Sequence, residues 1–282
     1  MPKLNQYTGQ EHCPLCGGVD TLRSITDSSL LYCSNCRLAF NTAHAPASYN
    51  SNYFLEEYQQ QYGKTYEDDF SWIYELGRQR IGEIKKLSGK KDFTGKRLLD
   101  AGCALGFFLK AAYDEGFEDV EGLEISGYAA DYCRNRFGFR VHNVPLEEFE
   151  GEPSSFNVIT AWYVIEHSSQ PLQLFHKLYE MLEAGGVLAC SMPSIHGPMF
   201  FFHRDEWVKS HPDDHFIDFS PGAVKKALYN AGFRRIKCSP AAYHPERIIR
   251  KNSLLFPPFA WMYGKLSKMT CFSDTMHIYA LK

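Results

Sequence analysis

No stretch of the 282 residues is long and apolar enough to span a bilayer, and the N-terminus lacks the charged segment followed by an apolar run that directs secretion. A membrane-spanning helix is excluded on this reading, and a cytoplasmic protein with no membrane partner is expected. An excess of positive charge is missing too: 30 Lys and Arg face 33 Asp and Glu, a formal net charge of −3 with a pI near 6.4. With no basic tail, nothing draws the chain as a whole toward nucleic acid, and a small-molecule substrate is the expectation. Repeats and low-complexity segments are absent as well. What is present is an ordinary globular composition, 44% hydrophobic and 22% charged, in a chain long enough for one large domain and a small appendage.

Nine cysteines is an odd number, and four of them form a pattern: Cys13-x-x-Cys16 and Cys33-x-x-Cys36, two knuckles sixteen residues apart. That spacing suits a tetrahedral four-cysteine zinc site, so residues 1–40 read as a zinc ribbon. Four protein ligands close the coordination shell, and the zinc is therefore expected to be structural. Two disulfides and a nucleic-acid-binding ribbon are the alternatives. A cytoplasmic setting counts against the first, and Arg23 and Arg37 are thin provision of positive charge for the second. Cys103, Cys133, Cys190, Cys238 and Cys271 stand among apolar residues and read as buried thiols.

Residues 41–74 are crowded with aromatics (Tyr49, Tyr53, Phe54, Tyr58, Tyr62, Tyr66, Phe70, Trp72 and Tyr74) interleaved with charged and amide side chains, a pattern of amphipathic helices packed on a larger body. From residue 75 the chain alternates regularly. Helical spacing covers 75–88, 107–115 and 127–137, another helix starts near Pro171 and is expected to close at Gly185-Gly186, and Ser220-Pro-Gly-Ala caps one that ends at Gly232. Runs at 96–101, 119–125, 139–142, 156–162, 187–192, 234–239 and 276–281 read as strands. This alternation specifies an α/β fold, a doubly wound and mostly parallel seven-stranded sheet covered on both faces.

The first of these strands carries the signal on which the rest turns. Leu98 and Leu99 lead to Asp100, then to a turn holding Gly102 and Gly106, then to Phe107, Phe108, Leu109, Ala111 and Ala112 at helical spacing. In a doubly wound sheet such a turn ends the first strand, where glycines let a ligand reach the backbone and the helix N-terminus offers free N–H groups. The turn is not the G-x-G-x-x-G of a dinucleotide site.

Asp100-Ala-Gly-Cys-Ala-Leu-Gly106 resembles motif I of the class I S-adenosylmethionine (SAM) methyltransferases, D-x-G-x-G-x-G, with Ala104 in place of the middle glycine. The likeness continues in Glu124 near the end of the second strand, in Tyr163-Val-Ile-Glu-His167, in Glu183-Ala-Gly-Gly-Val-Leu188 and in His215-Phe-Ile-Asp-Phe-Ser220. With the ribbon and the tyrosine-rich segment, the chain is similar to the group that contains ubiquinone O-methyltransferases and nucleotide-sugar C-methyltransferases.

The resemblance implies a Rossmann-like SAM-dependent methyltransferase domain over residues 75–282, preceded by a lid or linker over 41–74 in which Tyr62 and Tyr66 are the lid side chains. It puts Asp100, Gly102 and Gly106 on the methionine half of SAM, Glu124 on the ribose, and Asn143 with Val144 near the adenine, with Cys103 and Ile125 as further cofactor contacts. Trp162 and Tyr163 border the methyl group on the same reading. His167 is the first candidate for general base, because an imidazole titrates near neutral pH; His215 and Tyr163 follow. The implied reaction is O- or C-methylation of a small acceptor, such as a sugar or another biosynthetic intermediate. A zinc-ribbon rRNA or tRNA base methyltransferase and a non-catalytic SAM-binding protein remain the alternatives.

Overall fold

The structure, a computed structural model, describes residues 12–45, 53–90 and 92–282, with the backbone alone described at 57, 61 and 62. Of the residues named above, Tyr49 and the side chain of the lid candidate Tyr62 lie outside the described residues. Three short strands come first: β1 (Leu22–Ser24), β2 (Leu30–Cys33) and β3 (Leu38–Asn41). A π-helical turn (Tyr53–Glu57) continues into α1 (Tyr58–Tyr62), and a 3-10 turn (Glu67–Asp69) into α2 (Phe70–Ser88). The first half of the core is β4 (Arg97–Ala101), α3 (Phe107–Asp114), β5 (Asp119–Leu123), α4 (Gly127–Phe137) and β6 (Arg140–His142). The second half opens with β7 (Phe156–Trp162), α5 (Pro171–Met181) and β8 (Leu182–Pro193). Then come α6 (Pro198–Phe202), α7 (Arg204–Lys209), β9 (Ile217–Phe219), α8 (Pro221–Asn230), β10 (Arg234–Pro240), α9 (Phe256–Thr270) and β11 (Thr275–Leu281).

Seven strands pair in the order β10-β11-β8-β7-β4-β5-β6. From β8 to β6 every pairing is parallel, and β11 runs antiparallel to both of its neighbours. The expected doubly wound sheet is therefore present. Its central strands are continuous apolar runs because both faces are covered: Leu98, Leu99, Val158, Ile159, Leu188 and Ala189 have no exposed surface. On one face Phe175 and Leu178 of α5 pack with Val224 and Leu228 of α8, and on the other Ile81 and Ile84 of α2 pack with Phe108 and Leu109 of α3. Each such side chain contributes about 1.5–3 kcal/mol on burial. The winding direction reverses between β4 and β7, and at such a switch point the loops leaving the strand ends part to form a crevice.

Helices α6, α7 and α9 lie outside the expected element order, and α2 begins five residues early, at Phe70; two further departures bear on the site. Helix α5 stops at Met181 instead of running to Gly185-Gly186, because the carbonyls of Glu180 and Met181 already accept the N–H groups of Ser154 and Ser155, each at 2.9 Å. Leu182 then enters β8 directly. The second departure is β9, a three-residue strand too short to show a period, which pairs antiparallel with β3 through Leu38–Phe219, Ala39–Asp218 and Phe40–Ile217. A second sheet, β1-β2-β3-β9, results, and it stitches the cysteine-bearing strands to the segment that follows α7.

The turn after β4 places alternate residues in the left-handed region: Gly102 at φ 71°, Ala104 at 48° and Gly106 at 85°. A Cβ on Gly106 would stand 2.2 Å from Cys133 Sγ, and one on Gly102 would stand 2.5 Å from Val164 Cγ2. Glycine is demanded twice over at both positions, by angle and by space. Ala104 takes the same region at a cost of about 1–2 kcal/mol. Gly106→Ala is expected to destabilise the protein by about 2 kcal/mol or more, while Ala104→Gly is expected to be neutral or stabilising by up to ~1 kcal/mol, both read from urea unfolding midpoints.

Candidate active site

At the carboxyl end of β4, Asp100 is buried and its Oδ1 accepts the hydroxyl of Thr160 at 2.6 Å. Burial pushes its carboxyl up to about 7, against the pull of that hydroxyl and of Arg80. At the end of β5, Glu124 is also buried, with its pKa raised by burial. Its two oxygens are divided: Oε2 accepts the N–H of Ala104 and Oε1 the N–H of Ser126, both at 2.8 Å. The carboxylate thereby braces the glycine turn and the start of α4 together. Ser126 in turn caps α4 by accepting the N–H of Ala129. Ile125, next to Glu124, leaves 47% of its apolar surface exposed.

Not every residue named from the sequence faces this crevice with its side chain. The Cys103 thiol points into the core, where it fills the space against Gly122 and Leu109. The amide hydrogens of Asn143 are spent on the carbonyls of Glu124 (2.7 Å) and Ile125 (3.0 Å), so this residue holds the strand end in place. Val144 packs against the core. The Trp162 ring lies under the guanidinium of Arg80, 4.0 Å from Arg80 Cζ to the ring centroid, and edge-on to Phe108. Tyr163 follows with φ 60°, a left-handed conformation that strains an aromatic residue and turns the chain sharply out of β7.

Sequence reasoning missed Arg80. This residue of α2 is buried, its Nε has no hydrogen-bond partner, and burial lowers its pKa against the opposing pull of the neighbouring Tyr163, Tyr279, Asp100 and Tyr66. Helical periodicity signals a polar residue on an inward face only weakly, and the alkyl stem of an arginine disguises it further. From the aromatic segment, Tyr66 stacks near Phe107 (5.6 Å) and Tyr58 (4.9 Å), with its phenol pushed up by burial and by Tyr53, Tyr58, Glu124 and Asp100. Asp69 anchors the segment by accepting Tyr58 Oη at 2.6 Å and pairing with Lys64.

Three residues beyond Val164 the structure gathers a cluster of histidines and carboxylates that no single stretch of sequence displays. His167 Nδ1 lies 3.0 Å from the Asp214 carbonyl and 3.2 Å from its Oδ2. Burial would lower this imidazole's pKa, but Asp214 and Glu166 outweigh it and raise it to about 9. His215, with its ring centre 4.9 Å from that of His167, is driven the other way, down to about 4, by burial and by its histidine neighbours. His211 Nε2 pairs with Asp218 Oδ2 at 2.7 Å. Glu166 is fully buried, neither carboxylate oxygen has a hydrogen-bond partner, and burial lifts it to about 8. His44, just past β3, completes the group by resting on Phe216. The pairing of β3 with β9 is what brings these residues together.

The four knuckle cysteines also converge. The sulfurs of Cys13, Cys16, Cys33 and Cys36 all lie within 4.8 Å of one another. Cys16 Sγ and Cys33 Sγ are 3.9 Å apart, well beyond the ~2.05 Å of a disulfide, and none of the four is in a disulfide.

A family model described as "Methyltransferase domain" matches residues 74–237, more than half of the chain. The chain belongs to that family. This methyltransferase is 27% identical over 162 residues to a tRNA U34 carboxymethyltransferase of Wolinella succinogenes, covering 52% of the chain and 54% of that protein. It is 24% identical over 127 residues to a ubiquinone biosynthesis O-methyltransferase of Neisseria meningitidis, covering 43% of the chain and 52% of that protein. The chain thus spans about half the length of these relatives. Among solved structures, a SAM-dependent methyltransferase from Archaeoglobus fulgidus superposes with a TM-score of 0.57 at 18% identity, over 80% of this chain and 98% of that one, a likeness of fold. The glycine turn and Asp100 stand at the end of β4, beside the switch point of the sheet where open α/β sheets take their ligands, and Glu124 reaches the same turn from the end of β5.

At neutral pH the His167 ring is a cation held by Asp214. Its pKa is higher folded than the ordinary histidine value near 6.5, so the stabilisation from this pair is complete below about pH 6.5 and fades as pH rises through about 9. His167→Gln is therefore expected to lower unfolding free energy by up to about 3 kcal/mol at pH 6.5, with the difference from wild type shrinking by pH 9.5 in urea titrations.

Proposed function

We propose that this SAM-dependent methyltransferase transfers the methyl group to an oxygen or carbon of a small-molecule acceptor, with SAM lying across the β4 and β5 ends and the acceptor facing the histidine cluster. The observation that carries the reading is the Glu124 carboxylate, whose two oxygens fix the turn on one side and α4 on the other and keep further lone pairs for two adjacent hydroxyls. The donor set suits SAM. Glu124 would accept the ribose hydroxyls, Ile125 would offer its exposed apolar surface to the adenine, and the turn from Gly102 to Gly106 would admit the methionine half past its missing side chains. The buried guanidinium of Arg80 and the half-neutralised Asp100 are matched in charge to a carboxylate and an ammonium. When bound, SAM supplies an electrophilic methyl on a sulfonium, so the protein's part is alignment and proton handling.

The cluster divides that work. His167, held by Asp214, bears a proton at neutral pH and can steady negative charge growing on the acceptor, whereas His215 stays neutral and is the imidazole able to take the acceptor's proton. This reverses the order in which the sequence ranked the two. Tyr163, turned out of the strand end, is proposed as the third candidate for the proton. Tyr66 is proposed to close over the cofactor. A tRNA acceptor is the second reading, favoured by the similarity to the U34 carboxymethyltransferase; the acidic chain and the sparse basic residues of the ribbon favour the small molecule. Transfer of label from methyl-tritiated SAM into hydroxylated small molecules, and not into bulk tRNA, is the outcome that supports it.

Glu124→Ala is expected to weaken SAM binding by about 1.5–3 kcal/mol in calorimetric titration. Wild type should also bind a 2′-deoxyribose analogue of S-adenosylhomocysteine less tightly than the parent compound, and Glu124→Ala should not distinguish them. Equal discrimination by both proteins would leave Glu124 with a bracing role alone.

We propose further that Cys13, Cys16, Cys33 and Cys36 hold one structural zinc ion, a closed four-thiolate shell matching that metal's preference. Metal analysis of protein purified without chelator should find one zinc per chain. Cys33→Ser should lose it and loosen the β3–β9 pairing, seen as faster amide exchange in residues 38–40 and 217–219, while SAM affinity changes little.

A further inference from the structure

The net charge of −3 conceals a local reversal. Residues 248–273 contain Arg250, Lys251, Lys265 and Lys268 and no Asp or Glu, and they include α9; Arg247, just before them, is paired with Asp274. This connection lies at the catalytic edge of the sheet, since β11 begins with Thr275 opposite Pro193, the last residue of β8. The inner side of α9 is settled: Tyr263 and Ser267 are buried, and the Ser267 hydroxyl donates to the Phe272 carbonyl at 2.7 Å. The outer side is apolar. Leu255, Met262, Leu266 and Met269, spaced by seven, four and three residues, form one exposed stripe, with Met269 84% exposed. Trp261, Lys265 and Lys268 form the stripe beside it, Lys265 Nζ resting 3.9 Å from the Trp261 ring centroid. At the foot of the helix Leu254 is 97% exposed, next to exposed Arg250 and Lys251.

An apolar stripe of this size costs solubility unless something covers it. No helix among the described residues is long and apolar enough to cross a membrane, but an interfacial helix needs only an apolar flank, a cationic border and an aromatic residue at the boundary. We infer that α9 is an interfacial anchor that docks the enzyme on an anionic lipid surface. The Leu and Met side chains would enter the acyl boundary, Trp261 would sit at headgroup depth, and the lysines would reach back to anionic headgroups along their alkyl stems. A second copy of this chain is the poorer occupant, because a two-fold contact would set this all-cationic border against itself. Docking by α9 would turn the site's opening toward the bilayer. The inference goes beyond the methyltransferase reading and can be tested without methyl transfer.

The test is flotation of the full chain with vesicles of phosphatidylcholine alone or mixed with phosphatidylglycerol, at an ionic strength of about 0.15 M. The wild type is expected to float with the mixed vesicles and to remain below with pure phosphatidylcholine. Lys265→Gln/Lys268→Gln should weaken partitioning roughly 25-fold, about fivefold per charge, and Met262→Ser/Leu266→Ser should weaken it comparably. Both variants should keep the wild-type unfolding midpoint and SAM affinity, as all four side chains are exposed. Wild type that ignores the anionic vesicles, or variants that bind them as tightly as wild type, would overturn the inference. So would a wild-type dimer in light scattering that Met262→Ser/Leu266→Ser dissociates, since the patch would then be covered by a second copy.

Discussion

One buried carboxylate holds the glycine turn of this protein in shape. Glu124 gives one oxygen to the Ala104 N–H and the other to the Ser126 N–H, joining a turn that alternates through left-handed angles to the start of the next helix. A charged acceptor makes each of these bonds worth more than a neutral one, and the bracing explains how Ala104 is kept at φ 48° without the freedom of glycine. Burial raises the carboxyl's pKa, while the backbone N–H groups of Ser126 and Ala104 pull it down. The carboxylate at the ligand edge is thus itself part of the scaffold.

The histidine cluster, where the acceptor is proposed to lie, depends on a different constraint, the pairing of β3 with β9. Phe216 donates its N–H to the Glu166 carbonyl at 2.7 Å and accepts the N–H of Asn41 at 2.8 Å, so the loop after β7, the segment before β9 and the cysteine-bearing strands meet in one place. His44, His167, His211 and His215 come from three separate parts of the chain and share that junction. The four-cysteine zinc centre proposed above would stabilise the short strands β1 to β3, and through the β3–β9 pairing it would steady the histidines.

Buried charge is concentrated at the ligand edge. Asp100 and Glu166 are held near neutrality by burial, Arg80 is buried with its Nε unpartnered, and His167 is kept cationic by Asp214. Groups so far from their ordinary ionisation are costly to a fold and are typical of sites that bind or transfer charge. The sheet beneath them offsets that cost with fully apolar strands.

The seven strands of the main sheet and the helices between them, the glycine turn after Asp100 and the four-cysteine spacing were legible in the sequence, because each is written in residues close together in the chain, whereas α6, α7, β9 and α9 were not. Period, turn chemistry and knuckle spacing act over a few residues and survive without neighbours. Tertiary structure alone decided the rest. That Leu38 would face Phe219, that Asp214 would hold the proton on His167 and leave His215 neutral, and that Arg80 would lie over Trp162 are matters of segments distant in sequence meeting in space. Ionisation follows the same rule: the sequence put His167 ahead of His215, and their pKa values parted in opposite directions only once burial and neighbouring charge were set by the fold. The outward face of α9 likewise became an exposed apolar stripe only when packing had claimed its other side.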